Sequence, residues 1–307
     1  MTKSIAVFGG NGFLGRKICE VGINRGYNIT SYSRSGQPPQ SPHHQSPPAT
    51  WISQVSWQKC DIFNPRESIP PHKLGQFDTI VHSIGLLFED ASYKKSMNSN
   101  FGVLQDVQKL ANRVLGSGVN PMQKDKVNSS YEAVQRDSAV LIADEYIEAR
   151  LDALKEEEEK KKKKKNKNSN SADSPTGAIV GNYVYISADQ NPPIVPQRYI
   201  ITKREAEFEL SNKPHLRSIL MRPGIMYEEK TGDTNEQHFS NRDVLVKGLK
   251  LGVSLKNAVL GEQFLSGVVR PVVSTTQVAN AIFDKLEDGH FKGGVVPVEE
   301  IEQKSHF

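Results

Sequence analysis

Three glycines at a spacing of three residues follow the first apolar segment of the chain. This segment, Ile-Ala-Val-Phe, runs into Gly9, Gly12 and Gly15, and apolar residues then recur at helical spacing. A strand that passes through such glycines into a helix turns tightly at the first and leaves ligand space at the second. The third lets helix and strand approach closely, and the N–H groups of the helix start can bind a phosphate. The pattern predicts a dinucleotide pyrophosphate site; a glycine-rich loop without a ligand is the alternative.

A second group of residues could transfer a proton. Tyr199 and Lys203 are four residues apart, so a helix places the phenol and the ammonium on one face. A lysine cation lowers the tyrosine pKa, as acid–base chemistry on a carbonyl or alcohol oxygen near neutral pH requires. Ser187, 12 residues upstream at the end of a predicted strand, could hold that oxygen. Tyr-x-x-x-Lys arises readily by chance, so the motif supports a catalytic role only because of its position in the predicted fold. The alternatives are that Tyr199 is a half-buried helix residue, that Lys203 is a solvated lysine and that Ser187 is a strand-end hydroxyl without a catalytic role.

Alternating strands and helices are predicted to position these residues. Apolar strands separated by helical or loop segments indicate a parallel sheet covered on both faces. After the first strand, further strands are predicted at residues 27–33, 55–60, 77–83, 183–187, 217–221 and 295–298. Helices are predicted at residues 131–154, 199–210 and 276–286, and an amphipathic segment at 244–251. The predicted fold is α/β, a doubly wound parallel sheet of the Rossmann type with a small C-terminal α/β lobe.

The predicted division places a dinucleotide-binding domain in residues 1–224 and the small lobe, which closes the substrate side, in residues 225–307. A low-complexity insertion is predicted at about residues 155–178, where four Glu are followed by six Lys and then by an Asn- and Ser-rich segment. Glu–Lys pairs one turn apart support a solvated helical extension, and the polar remainder is predicted to be disordered. A patch for targeting or for anionic lipid is the alternative.

Composition narrows the class of protein. A chain of 307 residues with 36% hydrophobic content can bury one large α/β core. The net charge of +4 is less than the charge of the lysine run alone, which argues against a nucleic-acid surface. Cys19 and Cys60 are too few for a disulfide framework or a zinc site, and His43, His44 and His82 lack the neighbours of a metal site. No stretch approaches the roughly 20 apolar residues of a membrane span.

Together these motifs resemble the short-chain dehydrogenase/reductase family, in its extended or atypical branch, over nearly the whole chain. The resemblance also rests on Asp61-Ile62, on Ser83-Ile84-Gly85 and on Arg222-Pro223-Gly224. It implies that Tyr199, Lys203 and Ser187 are the catalytic residues. The cofactor-binding residues that it implies are Gly9, Gly10, Asn11, Gly12, Phe13, Leu14, Gly15, Arg34, Asp61, Ile62, Ser83, Ile84, Gly85, Lys203 and Pro223.

The resemblance also assigns parts of the cofactor. It implies that Asp61 contacts adenine, that Lys203 bonds the nicotinamide ribose and that Pro223 lies beside the nicotinamide. An acidic residue at the end of the second strand normally binds the adenosine ribose, whereas Arg34 offers a cation there, which favours NADP over NAD. The asparagine that relatives often carry at the start of the helix after the fourth strand is replaced, with Gln135 or Arg136 nearest, which argues against a proton relay through it.

More narrowly, six segments resemble the fungal mitochondrial ubiquinone-biosynthesis branch of this family, which is akin to the accessory subunit of complex I with the same fold. The segments are Val-Phe-Gly-Gly-Asn-Gly-Phe-Leu-Gly-Arg, Ser-Arg-Ser-Gly, Val-His-Ser-Ile-Gly, Tyr-Ile-Ser-Ala-Asp, Lys-Arg-Glu-Ala-Glu and Arg-Pro-Val-Val-Ser-Thr. This resemblance implies a location on the matrix side of the mitochondrial inner membrane, with peripheral membrane contact. It also implies partners among the coenzyme Q (ubiquinone) biosynthesis proteins.

Three functions stay open at this point. The first is an NADP-dependent oxidoreductase that acts on a quinone-ring or isoprenoid intermediate. The second is a non-catalytic subunit in which bound NADP(H) stabilises the fold, and the third is an enzyme of the nucleotide-sugar epimerase type. Fold alone does not decide among them.

Overall fold

The computed structural model describes residues 3–39, 49–86, 130–164, 178–192, 195–229 and 270–303. The strands among these residues are β1 (Ser4–Phe8), β2 (Asn28–Ser33), β3 (Ser56–Lys59), β4 (Thr79–His82), β5 (Gly181–Ile186), β6 (Leu216–Met221), β7 (Ile225–Tyr227), β8 (Val272–Ser274) and β9 (Gly294–Val296). Within the described ranges, β3-β2-β1-β4-β5-β6-β9 form one sheet in that order, and every neighbouring pair is parallel. A second small sheet pairs β7 with β8. The predicted doubly wound α/β fold is confirmed.

Helices connect the strands and cover both faces of the main sheet. They are α1 (Gly15–Asn24), α2 (Pro65–Ser68), α3 (Pro71–Leu74), α4 (Ser138–Lys164), α5 (Arg198–Ser211), α6 (Thr275–Glu287) and α7 (Val298–Gln303), with a 3₁₀ turn at Ile52–Gln54. A π-helical stretch, Glu132–Asp137, leads directly into α4. The helix predicted at residues 131–154 therefore begins in π-helical form and extends to Lys164.

The two faces of the sheet bury different residues because alternate side chains of a strand point to opposite sides. Ile5 and Val7 of β1 lie in one apolar cluster with residues of α1 and α6. Ala6 and Phe8 lie in the other cluster, with residues of α4 and α5. The helices thus form one layer on each face, and the carboxyl ends of the strands are left at one edge, where ligands of such folds bind.

The described residues near the end of the chain return to the main sheet. β9 pairs with β6 at the sheet edge, and α6 packs beside α1. The division at residue 224 stays a prediction, and the amphipathic segment at 244–251 and the polar segment at 165–177 lie outside the described residues. Among the helices of the described ranges, none combines the length and the apolar character of a transmembrane span.

The side chains considered for disulfide or metal chemistry lie mostly in the core. Cys19 and Cys60 are free, buried thiols, and burial raises the pKa of Cys19 to about 12. His82 is fully buried; burial, together with the Lys203 cation, lowers its pKa to about 3. His43 and His44 lie outside the described residues, and within the described ranges no group of three His, Cys, Asp or Glu residues could hold a metal ion.

Candidate functional site

The glycine loop makes a tight turn between β1 and α1. Gly9 has a φ of +90°, and the Gly12 N–H donates to its carbonyl at 2.9 Å. A Cβ atom on Gly9 would lie 2.9 Å from the backbone oxygen of Ser83, and one on Gly15 would lie 2.1 Å from the Gly9 oxygen. Because side chains at positions 9 and 15 would collide with backbone, only glycine permits this turn and this approach of α1 to β1.

The start of α1 fits a phosphate group. Leu14 at the N-cap provides no side-chain hydrogen bond, and the first turn carries no acidic residue. A Cβ atom on Gly12 would meet only the Gly9 oxygen, at 3.0 Å, so the space in the side-chain direction of Gly12 is otherwise open. An uncapped helix N-terminus next to open backbone suits an anion, since its N–H groups need acceptors. The residues present therefore fit a dinucleotide pyrophosphate.

The loop after β2 lies beside the glycine loop. The Asn11 side-chain amide donates to the Ser35 hydroxyl at 3.2 Å, and Arg34 is exposed directly after β2. Asp61 is also exposed, after β3, and its carboxylate accepts a hydrogen bond from the Phe63 N–H at 3.0 Å. The ends of β1, β2 and β3 thus place Asn11, Arg34 and Asp61 along one edge, on the side predicted for adenosine.

The segment after β4 joins the glycine loop to α5. A Cβ atom on Gly9 would lie 2.9 Å from Ile84 Cγ1, so Ile84 packs directly on the loop. One on Gly85 would lie 3.4 Å from Lys203 Nζ. The Ser83–Gly85 segment therefore links the predicted phosphate site, at Ile84, to the predicted proton-transfer residue Lys203, at Gly85.

Lys203 is buried in an unusual environment for a cation. Its side chain is 3% exposed, Nζ donates to the Ile186 carbonyl at 2.7 Å, and Nζ lies 5.0 Å from the centroid of the Tyr185 ring. Burial lowers its pKa from 10.5 to about 7, although the Glu207 carboxylate acts in the opposite direction. The amine therefore titrates near neutral pH, as an acid–base site requires.

Tyr199 lies one turn before Lys203 on α5, as predicted. Its side chain is 8% exposed and packs in a small apolar cluster with Ala188 and Val195. The Tyr131 ring stands edge-on to it, with the centroids 6.1 Å apart. Tyr199 is thus held by aromatic packing at the edge of the sheet.

Ser187 follows β5 directly and belongs to an ionic cluster that the sequence analysis missed. Its hydroxyl accepts a hydrogen bond from Arg204 Nη1 at 3.2 Å, and the same nitrogen bonds Glu207 at 2.6 Å. Glu207, with a side chain 5% exposed, also pairs with Arg222 at 2.5 Å. The Ser187 hydroxyl is therefore positioned by α5 and by the end of β6. The only sequence signal was that Arg204 adjoins Lys203 and Arg222 adjoins Pro223.

The end of β6 and the two-stranded sheet border the same edge. The Pro223 carbonyl accepts from the Asp189 N–H at 2.9 Å, and the Asp189 carboxylate binds Arg270 Nε at 2.5 Å and Nη2 at 2.6 Å. Glu228, just after β7, forms an ion pair with Arg16 in the first turn of α1. These contacts join residues that are far apart in the chain, so no local sequence pattern could have predicted them.

Comparisons with known proteins agree with this arrangement. Residues 5–119 match the model of the NAD dependent epimerase/dehydratase family. The chain is 34% identical over 305 residues to MIOREX complex component 2 of Saccharomyces cerevisiae, covering 98% of this chain and 99% of that protein. The chain belongs to the short-chain dehydrogenase/reductase family. An uncharacterized chloroplastic protein of Arabidopsis thaliana is 37% identical over 62 residues, 20% of this chain and 19% of that protein.

A solved structure supports the fold of this family member. The 3-oxoacyl-[acyl-carrier protein] reductase of Brucella melitensis, in complex with NAD, matches with a TM-score of 0.50 at 13% identity, covering 98% of both chains. At this identity the likeness concerns the fold alone. The NAD dependent family model and the shape of the glycine loop support a nicotinamide dinucleotide as the class of cofactor.

All of the predicted site residues lie in the described part of the chain, along the carboxyl edge of the sheet or in the loops that follow it. Their roles stay predictions. The Ser83–Gly85 segment lies between the glycine loop and Lys203, whereas the adenosine-side and Pro223-side residues border them. The set is Gly9, Gly10, Asn11, Gly12, Phe13, Leu14, Gly15, Arg34, Asp61, Ile62, Ser83, Ile84, Gly85, Ser187, Tyr199, Lys203 and Pro223.

Proposed function

We propose that this short-chain dehydrogenase/reductase binds NADP(H) at the carboxyl edge of its sheet and acts in mitochondrial coenzyme Q biosynthesis as a member of a protein complex. One observation carries the cofactor part: the Ser83–Gly85 segment contacts the glycine loop through Ser83 and Ile84, and the buried Lys203 amine lies next to Gly85. The pathway part is supported by the six segments described above. The name of the yeast relative, a complex component, supports membership of a complex.

NADP is favoured over NAD by the end of β2. Arg34 is exposed there, and residues 27–37 contain no acidic side chain that would bind an adenosine ribose. Titration of the full chain with NADPH and NADH, followed by fluorescence, tests this choice. A charge-assisted hydrogen bond to a 2′-phosphate corresponds to about 10- to 100-fold in Kd, so Arg34→Glu should weaken NADPH binding by that factor. NADH affinity should change little.

The matched control reverses a charge at the opposite edge of the sheet. Lys292 is exposed just before β9, and Lys292→Glu should leave both affinities unchanged. Equal losses for NADPH and NADH in Arg34→Glu contradict the assignment of Arg34 to the 2′-phosphate.

The proposed reaction is reduction or oxidation of a carbonyl or alcohol on a quinone-ring or isoprenoid intermediate. A bound nicotinamide supplies hydride-transfer chemistry. Tyr199 acts as the acid or base at the substrate oxygen, Lys203 lowers the Tyr199 pKa and Ser187 orients the oxygen. The pKa of about 7 for Lys203 supports a proton-handling role.

A second candidate, a non-catalytic subunit with structural NADP(H), is favoured by a different observation. Tyr199 is 8% exposed behind the Tyr131 ring, and the Ser187 hydroxyl already accepts from Arg204. Tyr199→Phe separates the two functions. In cells that lack the wild-type chain, coenzyme Q content should fall to the deletion level if the protein turns over, and should match wild type if the cofactor is structural. NADPH binding by the purified variant should persist in both cases.

The proposed location is the matrix side of the inner membrane, with peripheral contact. Purification of the tagged full chain from mitochondria should recover other coenzyme Q biosynthesis proteins, and carbonate washing should release the chain from membranes. Recovery from another compartment, or without any of those proteins, contradicts the pathway assignment while leaving the cofactor assignment intact.

A further inference from the structure

Gln135 lies in the π-helical stretch before α4 and is completely buried. Its side-chain amide nitrogen donates to the Thr202 hydroxyl of α5, at 3.4 Å. Thr202 is in turn anchored, since its hydroxyl donates to the Arg198 carbonyl at 2.8 Å. The Gln135 amide is therefore oriented by α5, the helix that carries Tyr199 and Lys203.

The two carbonyl oxygens of Gln135 differ in their partners. The backbone oxygen accepts from the Tyr185 hydroxyl at 2.8 Å. The side-chain oxygen, Oε1, is buried and has no hydrogen-bond partner among the described residues. Buried carbonyl oxygens are nearly always paired, because leaving one unpaired costs free energy. Oε1 thus indicates a donor that the described residues do not supply.

The orphan oxygen points to the place where Lys203 also points. A Cβ atom built on Gly85 would lie 3.4 Å from Lys203 Nζ and 3.9 Å from Gln135 Oε1, and Gly85 itself is exposed. A donor and an acceptor, both on buried side chains, therefore lie close to the same exposed residue at the edge of the sheet. Neighbouring sugar hydroxyls, which both donate and accept, match this pair, whereas a group that only accepts does not.

We propose that Gln135 is a positioning residue of the dinucleotide site, whose Oε1 accepts a hydrogen bond from the same sugar that Lys203 Nζ contacts in front of Gly85. The inference rests on the proposed function, since it assigns this sugar to the nicotinamide half of the cofactor. Gln135 holds that ribose, and through it the nicotinamide ring, relative to α5.

Two ligands test the assignment on the full chain. NADPH carries the nicotinamide ribose, and adenosine 2′,5′-bisphosphate is a fragment without it. Gln135→Met keeps the length of the side chain and removes both the acceptor and the amide donor to Thr202, whereas Gln135→Glu restores only the acceptor. Loss of one hydrogen bond corresponds to about 3- to 10-fold in Kd, so NADPH should bind that much more weakly, with the affinity for adenosine 2′,5′-bisphosphate unchanged.

Control variants separate this role from a structural one. Tyr183→Phe removes a comparable hydrogen bond, from the Tyr183 hydroxyl to the Ala139 carbonyl at 2.8 Å, and should leave the ratio of the two affinities at the wild-type value. Gln135→Glu keeps an acceptor oxygen and should bind NADPH more tightly than Gln135→Met does. Urea unfolding of each variant reports its stability.

Three results overturn the inference: equal weakening of both ligands in Gln135→Met, unchanged NADPH affinity, or tighter NADPH binding by Gln135→Met than by Gln135→Glu. Failure of the proposed cofactor site gives a different result in the same titrations: the wild-type chain itself would then bind neither NADPH nor the fragment.

Discussion

Replacing Lys203 with methionine is expected to stabilise the fold at neutral pH while it removes the amine from the cofactor site. The side chain is 3% exposed, and methionine matches its apolar stem in length. Functional sites often keep a polar group buried although its burial destabilises the fold, so that removing the group raises the free energy of unfolding. The test therefore measures whether Lys203 is maintained at a cost to folding.

The magnitude and its pH dependence follow from the Lys203 pKa. Burial lowers it from 10.5 to about 7, so the folded state binds the proton less tightly than the unfolded state does. Below pH 7 the amine is protonated in both states, and the unfavourable contribution is complete, at about 5 kcal/mol. Between pH 7 and 10.5 only the unfolded state holds the proton, so this contribution declines as pH rises, and above 10.5 it is absent.

The expected gain in free energy of unfolding is smaller than this contribution. Lys203→Met also loses the hydrogen bond to the Ile186 carbonyl, which costs about 1 kcal/mol. The variant should therefore be more stable than wild type by about 3 to 4 kcal/mol at about pH 6.5 and nearly equal to it at about pH 9.5.

Urea unfolding followed by circular dichroism at both pH values measures this difference. Lys59→Met, which replaces an exposed lysine at the end of β3, is the control and should change stability by less than about 0.5 kcal/mol at either pH. A gain that does not depend on pH, or a variant less stable than wild type at the lower pH, refutes the assignment of a buried, depressed Lys203.

Two further variants test the glycine loop and the ionic cluster. Gly15→Ala would place a Cβ 2.1 Å from the Gly9 oxygen, so NADPH affinity should fall at least about tenfold, whereas Gly289→Ala, with nothing within 4 Å, should bind as wild type in the same titration. Glu207→Gln removes a buried charge between two arginines and should lower the free energy of unfolding by about 2 to 3 kcal/mol. Glu209→Gln, on an exposed position of the same helix, should change it by less than about 0.5 kcal/mol, and equal effects of the two would contradict the cluster.

Most element types could be predicted from local patterns, and their ends less well. The strand predicted at residues 183–187 runs from Gly181 to Ile186, and the helix predicted at 199–210 runs from Arg198 to Ser211. Hydrogen bonding to neighbouring strands decides such ends, and no local pattern records it. The π-helical form at Glu132–Asp137 also gave no signal, because this stretch packs against α5 and accepts a hydrogen bond from Tyr185 of β5, which are contacts distant in the sequence.

The candidate site was predictable in its residue types but not in its contacts. The glycine spacing and the Tyr199–Lys203 pair are local, so the sequence showed them. The bond from Arg204 to Ser187 and the orphan oxygen of Gln135 depend on how α5 lies against β5 and on the π-helical stretch. Side chains that are brought together by the packing of separate helices and strands have no fixed spacing in the sequence, so no sequence motif reveals them.

The sequence by itself determined the alternation of strands and helices, the turn at Gly9 and the family to which the chain belongs. These features depend on side-chain periodicity and on backbone freedom at single residues, which are local properties. Only the tertiary structure decided that Gly85, Lys203 and Gln135 share one point, and that the Lys203 amine is buried deeply enough to titrate near pH 7. The order of strands in the sheet decides which strand ends lie side by side. It thereby decides which residues, distant in the sequence, surround the Lys203 amine and shield it from water.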